Sequence, residues 1–205
     1  MDQIAREPSA SPAVNELGSL PEWDLSHLYP GIESDLFRKD LAQAEGECKA
    51  IAETYRGKLA EIASGPDAPQ ALTDAIKRYE AIEDLLGRLM SYAGLVYSGD
   101  TTDPVRAKFY GDTQERLTAA SSELLFFTLE LNRVDGAIID RIAATPPLDH
   151  YRPWIEDLRK DKPYQLEDRL EQLFHEKSVT GRSAWNRLFD ETIASLRFTV
   201  RGEEL

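Results

Sequence analysis

Cysteine is almost missing from this sequence: Cys48 is the only one in 205 residues. No disulfide can form within the chain, which excludes the disulfide-framed secreted domains and makes the cytoplasm the expected location. Histidine is nearly as scarce, with only His27, His150 and His175. Positive charge is in deficit, since 24 basic residues face 37 acidic ones for a net charge of −13. Nucleic acid and anionic lipid are held mainly through clustered Lys and Arg, so neither is an expected partner. No window approaches the roughly 20 apolar residues that a membrane span requires. No segment reads GxxxxGK[ST] or GxGxxG, and nucleotide binding therefore has no motif to support it.

Residues 1–19 are rich in Ala, Ser and Pro and lack the cationic start and apolar core of a signal peptide. They read as a disordered leader. The segment Leu20 to Gly31 brackets Trp23, Leu25, Leu28 and Tyr29 between prolines and a glycine. It is expected to be an apolar anchor that fills a groove between later helices.

Three long apolar stripes follow. Phe37, Leu41, Ala44, Cys48, Ile51, Tyr55, Leu59 and Ile62 step by three and four and predict one helix from Asp35 to about Ala63. Gly65-Pro66 interrupts, Asp67 is placed to cap, and Leu72, Ile76, Tyr79, Ile82, Leu86, Leu89, Ala93 and Val96 predict a second helix to about Gly99. Asp103-Pro104 supplies a cap and a first-turn proline for a third stripe, Val105, Phe109, Thr113, Leu117, Ala120, Leu124, Phe127 and Leu131. Each helix would be about 30 residues, or about 45 Å. Short connections force such helices into an antiparallel, up-down-up bundle. Charged residues opposite the stripes, among them Lys77, Arg78, Glu80, Glu83 and Asp84, read as solvated surface.

Shorter helices are predicted after Asn132: Ala137 to Ala144, Tyr151 to Asp161, Glu167 to Lys177 and Arg182 to Ala194. From Leu196 to Val200 the period changes to two, which predicts a half-buried strand. A lone strand cannot satisfy its own ladder, so its partner is expected outside the chain, with 202–205 turning into it. The fold class is thus all-α, with one C-terminal strand. The expected organisation is a leader over 1–19, a helical domain over 20–195 and the start of a hairpin over 196–205.

Chemistry has few candidates. A zinc peptidase helix needs His at i and i+4 with a glutamate after the first. His175-Glu176 begins that pattern, but Val179 occupies the second ligand's place. Glu171 and His175 read as a surface pair. Cys48 lies in an apolar stripe and reads as a buried, unreactive thiol. Tyr151, Trp154, Tyr164 and Trp185 could line a peptide groove, although packing between elements is their plainer role. No catalytic, cofactor-binding or metal-binding residue is assigned.

Two stretches carry a family likeness. Trp23-Asp24-Leu25-Ser26-His27-Leu28-Tyr29 resembles the W-x-L-x-x-L-Y anchor of oligoendopeptidase F and its thimet-type relatives. Tyr151 to Leu166 and, most specifically, Ser178-Val179-Thr180-Gly181-Arg182-Ser183-Ala184-Trp185-Asn186-Arg187-Leu188-Phe189-Asp190-Glu191 resemble that family's N-terminal region. The likeness runs from about Pro21 to Val200. It implies a parent zinc metalloendopeptidase that hydrolyses short oligopeptides, with this region as one wall of the substrate channel. The HExxH part, its downstream glutamate and the zinc itself would lie elsewhere in the parent, leaving this chain inactive and metal-free. A helical peptide-binding or adaptor domain without catalysis is the alternative, and a dimer formed through the long helices is a third reading. Oligomeric state is left open.

Overall fold

A computed structural model describes residues 23–204, and the predicted leader lies outside them. The chain is mostly helical, as its periodicity requires. Helix α1 spans Asp35–Tyr55, α2 Leu59–Ser64, α3 Ala68–Gly99, α4 Pro104–Ser122 and α5 Leu125–Arg133. Helix α6 spans Gly136–Ala143 and α7 Arg152–Leu158, with 3₁₀ turns over Leu148–Tyr151 and Arg159–Tyr164 flanking the latter. Helices α8, Asp168–Thr180, and α9, Arg182–Ser195, complete the helical part.

The first and third predicted helices are each divided. After Tyr55 the chain turns at Gly57, whose φ of +78° lies in the left-handed region that a side chain disfavours. The Gly57 N–H donates to Glu130 Oε1 at 2.7 Å, and Arg56 Nη2 donates to Glu123 Oε2 at 2.7 Å. These contacts across 73 and 67 residues hold the turn, so periodicity alone could not announce it. The stripe nevertheless continues, because α2 re-enters in phase and buries Leu59 completely. The division of the third helix at Glu123-Leu124 has no Gly or Pro to mark it. Helix α3 is continuous over 32 residues.

Caps follow local chemistry. Asp103 Oδ1 accepts from Val105 N at 2.7 Å, and Asp135 Oδ1 accepts from Ala137 N at 2.9 Å, each satisfying a first-turn donor. Asp67 occupies the cap position of α3 without making that bond.

The core lies where α1, α3 and the α4–α5 pair meet. Asp40 pairs with Arg88 and Glu47 with Arg78, so advancing along α1 means retreating along α3. Tyr97 stacks on Tyr110 and Tyr79 on Phe127, the same reversed order for α3 against α4 and α5. Phe127 is fully buried, 4.5 Å from the Tyr79 ring and edge-on to Tyr55 and Phe126. Val105, assigned to the third stripe, is instead exposed at that helix's first turn.

The anchor is only partly as expected. Tyr29 is buried, its ring edge-on to Phe37 and Tyr92, and its hydroxyl donates to Asp40 Oδ2 at 2.9 Å. Arg88 Nη2 donates to the same oxygen at 2.7 Å, so a buried carboxylate is matched by two donors. Leu25 and Leu28 pack against this cluster. Trp23 does not: it is 83% exposed, at the rim of a cavity of 740 Å³ between the anchor and the α3–α4 end.

The predicted strand over 196–200 is corrected. Residues 196–198 form no strand, and a two-residue ladder pairs β1, Thr199–Val200, with β2, Glu203–Glu204, in antiparallel register. Arg201 and Gly202 both take positive φ and close the two-residue turn. The partner of β1 is therefore inside the chain. An uninterrupted edge is not formed because Leu196 and Phe198 have no surface to cover and remain exposed.

Candidate functional site

Beyond Ile155, no residue whose side chain is described is buried. Helices α8 and α9 pack on each other, and α8 lies along α4 and α5. Arg133 pairs with Asp168 at the start of α8, and Gln165 Nε2 donates to Leu129 O at 3.1 Å. These polar ties fix α8 to the core.

Both helices nonetheless carry large apolar side chains on the solvent side. On α8 these are Leu170, Leu173 and Phe174, the last 64% exposed. On α9 they are Trp185, Leu188, Phe189 and Ile193, with Trp185 71% and Phe189 65% exposed. Spacings of three and four place each set on one helical face. Continuous exposed apolar surface of this kind marks a contact face, because leaving it wet forfeits about 25 cal/mol per Å².

The other face of α8 closes a groove of about 450 Å³ against α3 and α4. His175 stands at its edge, its Nε2 2.9 Å from Ser121 Oγ. Glu83 projects from α3 into the same groove. Its carboxylate keeps solvent contact at the mouth while neighbouring atoms crowd it, and this desolvation raises its pKa above the ordinary 4.5, against the pull of Tyr79 and His175. Tyr79 beside it is likewise pushed up, by burial first and Glu83 second.

The residues singled out from sequence do not converge. His27 and His150 are exposed, on the anchor and on a 3₁₀ turn, far along the chain from His175 on α8. Glu171 and His175 are turned to different partners, Glu171 Oε1 accepting from Leu166 N at 2.8 Å. No three His, Cys, Asp or Glu side chains come together among the described residues, so these do not fit a zinc site. Cys48 is fully buried, and desolvation with nearby carboxylates pushes its thiol up to about 12, far from a reactive thiolate. Tyr151 is buried and donates to Glu80 Oε2 at 2.7 Å, and Trp154 packs on the core, whereas Tyr164 and Trp185 face solvent.

The segment that leaves its apolar side chains uncovered is also the one that comparison singles out. Residues 130–198 match the N-terminal model of the M3 peptidases, described as oligopeptidase F. Residues 130–198 are thus similar to an oligopeptidase F N-terminal region. The matched segment holds Arg133, His175 and the whole of α6 to α9, and spans about a third of the sequence. The anchor around Trp23 and the long helices α1, α3 and α4 fall outside the match, although the residue-level likeness reached them. No curated protein and no solved structure matches the chain. Among the described residues no helix is long and apolar enough to cross a membrane.

Two features had escaped sequence reading. The charged set on α3 is solvent-exposed at Lys77, Glu80, Glu83 and Asp84, as read, but it also makes contacts that the stripe did not show: Arg78 pairs with Glu47, Glu80 accepts from Tyr151, and Glu83 lines the groove. Helices α8 and α9 were predicted by their bounds alone, and a helix prediction does not say that the fold leaves apolar faces uncovered.

Proposed function

We propose that this chain is the N-terminal, substrate-channel part of a cytoplasmic zinc-dependent metalloendopeptidase that hydrolyses short oligopeptides. The reading is supported by the uncovered apolar faces of α8 and α9 lying within the oligopeptidase F segment. In it, the up-down-up helices serve as a scaffold that carries α8 and α9, and these present their apolar residues to the rest of the parent protein or to the channel. Zinc, its HExxH ligands and the general base are assigned to that remainder. Confinement between two walls selects flexible oligopeptides over folded proteins, since only an unfolded chain threads a narrow cleft.

The test is the coding frame beyond Leu205. An HExxH motif in the following few hundred codons is expected, and a frame that closes without one overturns the proposal. The purified chain with added zinc is expected to cleave no peptide, and chelator-sensitive cleavage by it would overturn the assignment of the catalytic residues elsewhere.

A further inference from the structure

The groove between α3, α4 and α8 has a composition that a structural seam does not need. Its walls include Leu86, Met90, Leu117, Leu124 and Leu125, and no Lys or Arg is among its lining residues. Glu83 is its one carboxylate, accompanied by the ring of His175 and the Tyr79 hydroxyl. The arginines of α3 are engaged elsewhere, Arg78 with Glu47 and Arg88 with Asp40. Glu83 forms no salt bridge among the described residues, and its side chain is exposed at the mouth of the groove. The groove is of ligand size, within about 300–1,000 Å³, and it places one carboxylate beside a wall of leucine side chains.

Gly87 adds a second observation. It lies one residue beyond Leu86 in the middle of α3, lines the same groove, and a Cβ built there meets nothing within 4 Å. Packing does not require the glycine, and its φ is not positive. In a helix interior it costs about 1 kcal/mol relative to alanine.

We propose that this groove binds a primary ammonium carried on an apolar arm, with Glu83 as the anionic partner and the leucine-rich wall taking the arm. A peptide N-terminus and a lysine side chain both present this chemistry. Ser121 and His175 close the rim, and their mutual contact positions the ring beside Glu83. The inference stands on the groove alone. It requires binding, not hydrolysis, and is independent of the peptidase reading.

Proton linkage gives a direction. The groups facing Glu83 are Tyr79 on α3, His175 on α8 and Cys48 on α1. Tyr79 and Cys48 are held neutral by burial. An arriving ammonium favours the charged carboxylate, so affinity rises as pH climbs through the Glu83 titration and binding there releases protons.

The experiment is calorimetric titration of the full 205-residue chain with three probes: leucyl-leucinamide, N-acetyl-leucyl-lysinamide and N-acetyl-leucyl-leucinamide. The first two carry an ammonium at the terminus or on the side chain, and the third carries none. At least one ammonium probe is expected to bind about tenfold or more tightly than the fully capped one, the fold-change of one charge-assisted contact. Which of the two binds more tightly assigns the source. Glu83→Gln is expected to remove the difference without lowering Tm, because no ion pair is lost. Gly87→Leu is expected to abolish binding by filling the groove, and it improves helix propensity. Equal binding of all three probes, no binding of any, or binding unchanged by Glu83→Gln would overturn the proposal.

Discussion

Single side chains in this protein separate into those whose polar atoms are matched and those left alone. Asp40 is matched, by the Tyr29 hydroxyl and Arg88, and it joins the anchor to α1 and α3 through one oxygen. Asp40→Ala strands both donors and is expected to cost about 2 kcal/mol, read as a lower denaturant midpoint with unchanged slope. Phe127 contributes through area and stacking, and Phe127→Ala is expected to cost about 3–5 kcal/mol for the cavity it leaves. Tyr97 is the opposite case, since its hydroxyl is buried without a hydrogen-bond partner among the described residues while its ring stacks on Tyr110. Tyr97→Phe keeps the ring and is expected to raise stability by up to about 1 kcal/mol, with Tm moving upward. Cys48 was legible at this scale because a thiol in the middle of an apolar stripe has only the core to enter. Glu83 was not, since i and i+4 spacing cannot tell a carboxylate facing water from one facing a neighbouring helix.

Elements show where local preference yields to packing. The turn at Gly57 is held by Glu123 at the α4–α5 junction and Glu130 within α5, and its positive φ makes Gly57→Ala cost about 1–2 kcal/mol, measurable by thermal unfolding. The attachment of α8 to α5 depends on ionisation. Arg133 holds the Asp168 carboxyl below its ordinary value of 3.8. A lowered folded-state pKa supplies stability above the unfolded value and loses it as pH falls through the folded one. Protection from hydrogen exchange in α8, taken relative to the intrinsic rate at each pH, is therefore expected to fall as pH drops below 3.8. Both partners are about half exposed, so the effect is small and shrinks with added salt. The short helices after Asn132 were read closely from sequence because caps and prolines punctuate them, as the Asp135 cap does for α6. The two-residue ladder at Thr199–Val200 was read as a longer strand because alternation alone does not create a sheet.

At the scale of the whole molecule, buried residues among the described side chains end at Ile155, while exposed apolar ones continue to Phe198. A surface that the fold itself does not need can be changed without cost to the fold. The double substitution Trp185→Ser and Phe189→Ser is expected to shift unfolding free energy by less than about 0.5 kcal/mol per site, while reducing binding of a hydrophobic dye. A larger loss would mean that the α9 face is part of the core.

Sequence by itself determined the helical class, the three core stripes and the unreactive burial of Cys48, because apolar spacing and capping are local properties that survive in any packing. It also held the residues that resemble oligopeptidase F, since those are a matter of identity and not of contact. Tertiary structure alone decided where the first and third helices break, that Trp23 stays outside, that β1 pairs within the chain, and that Glu83 meets His175 across a groove. Those outcomes depend on residues tens of positions apart meeting in space, and a one-dimensional period carries no term for such a meeting.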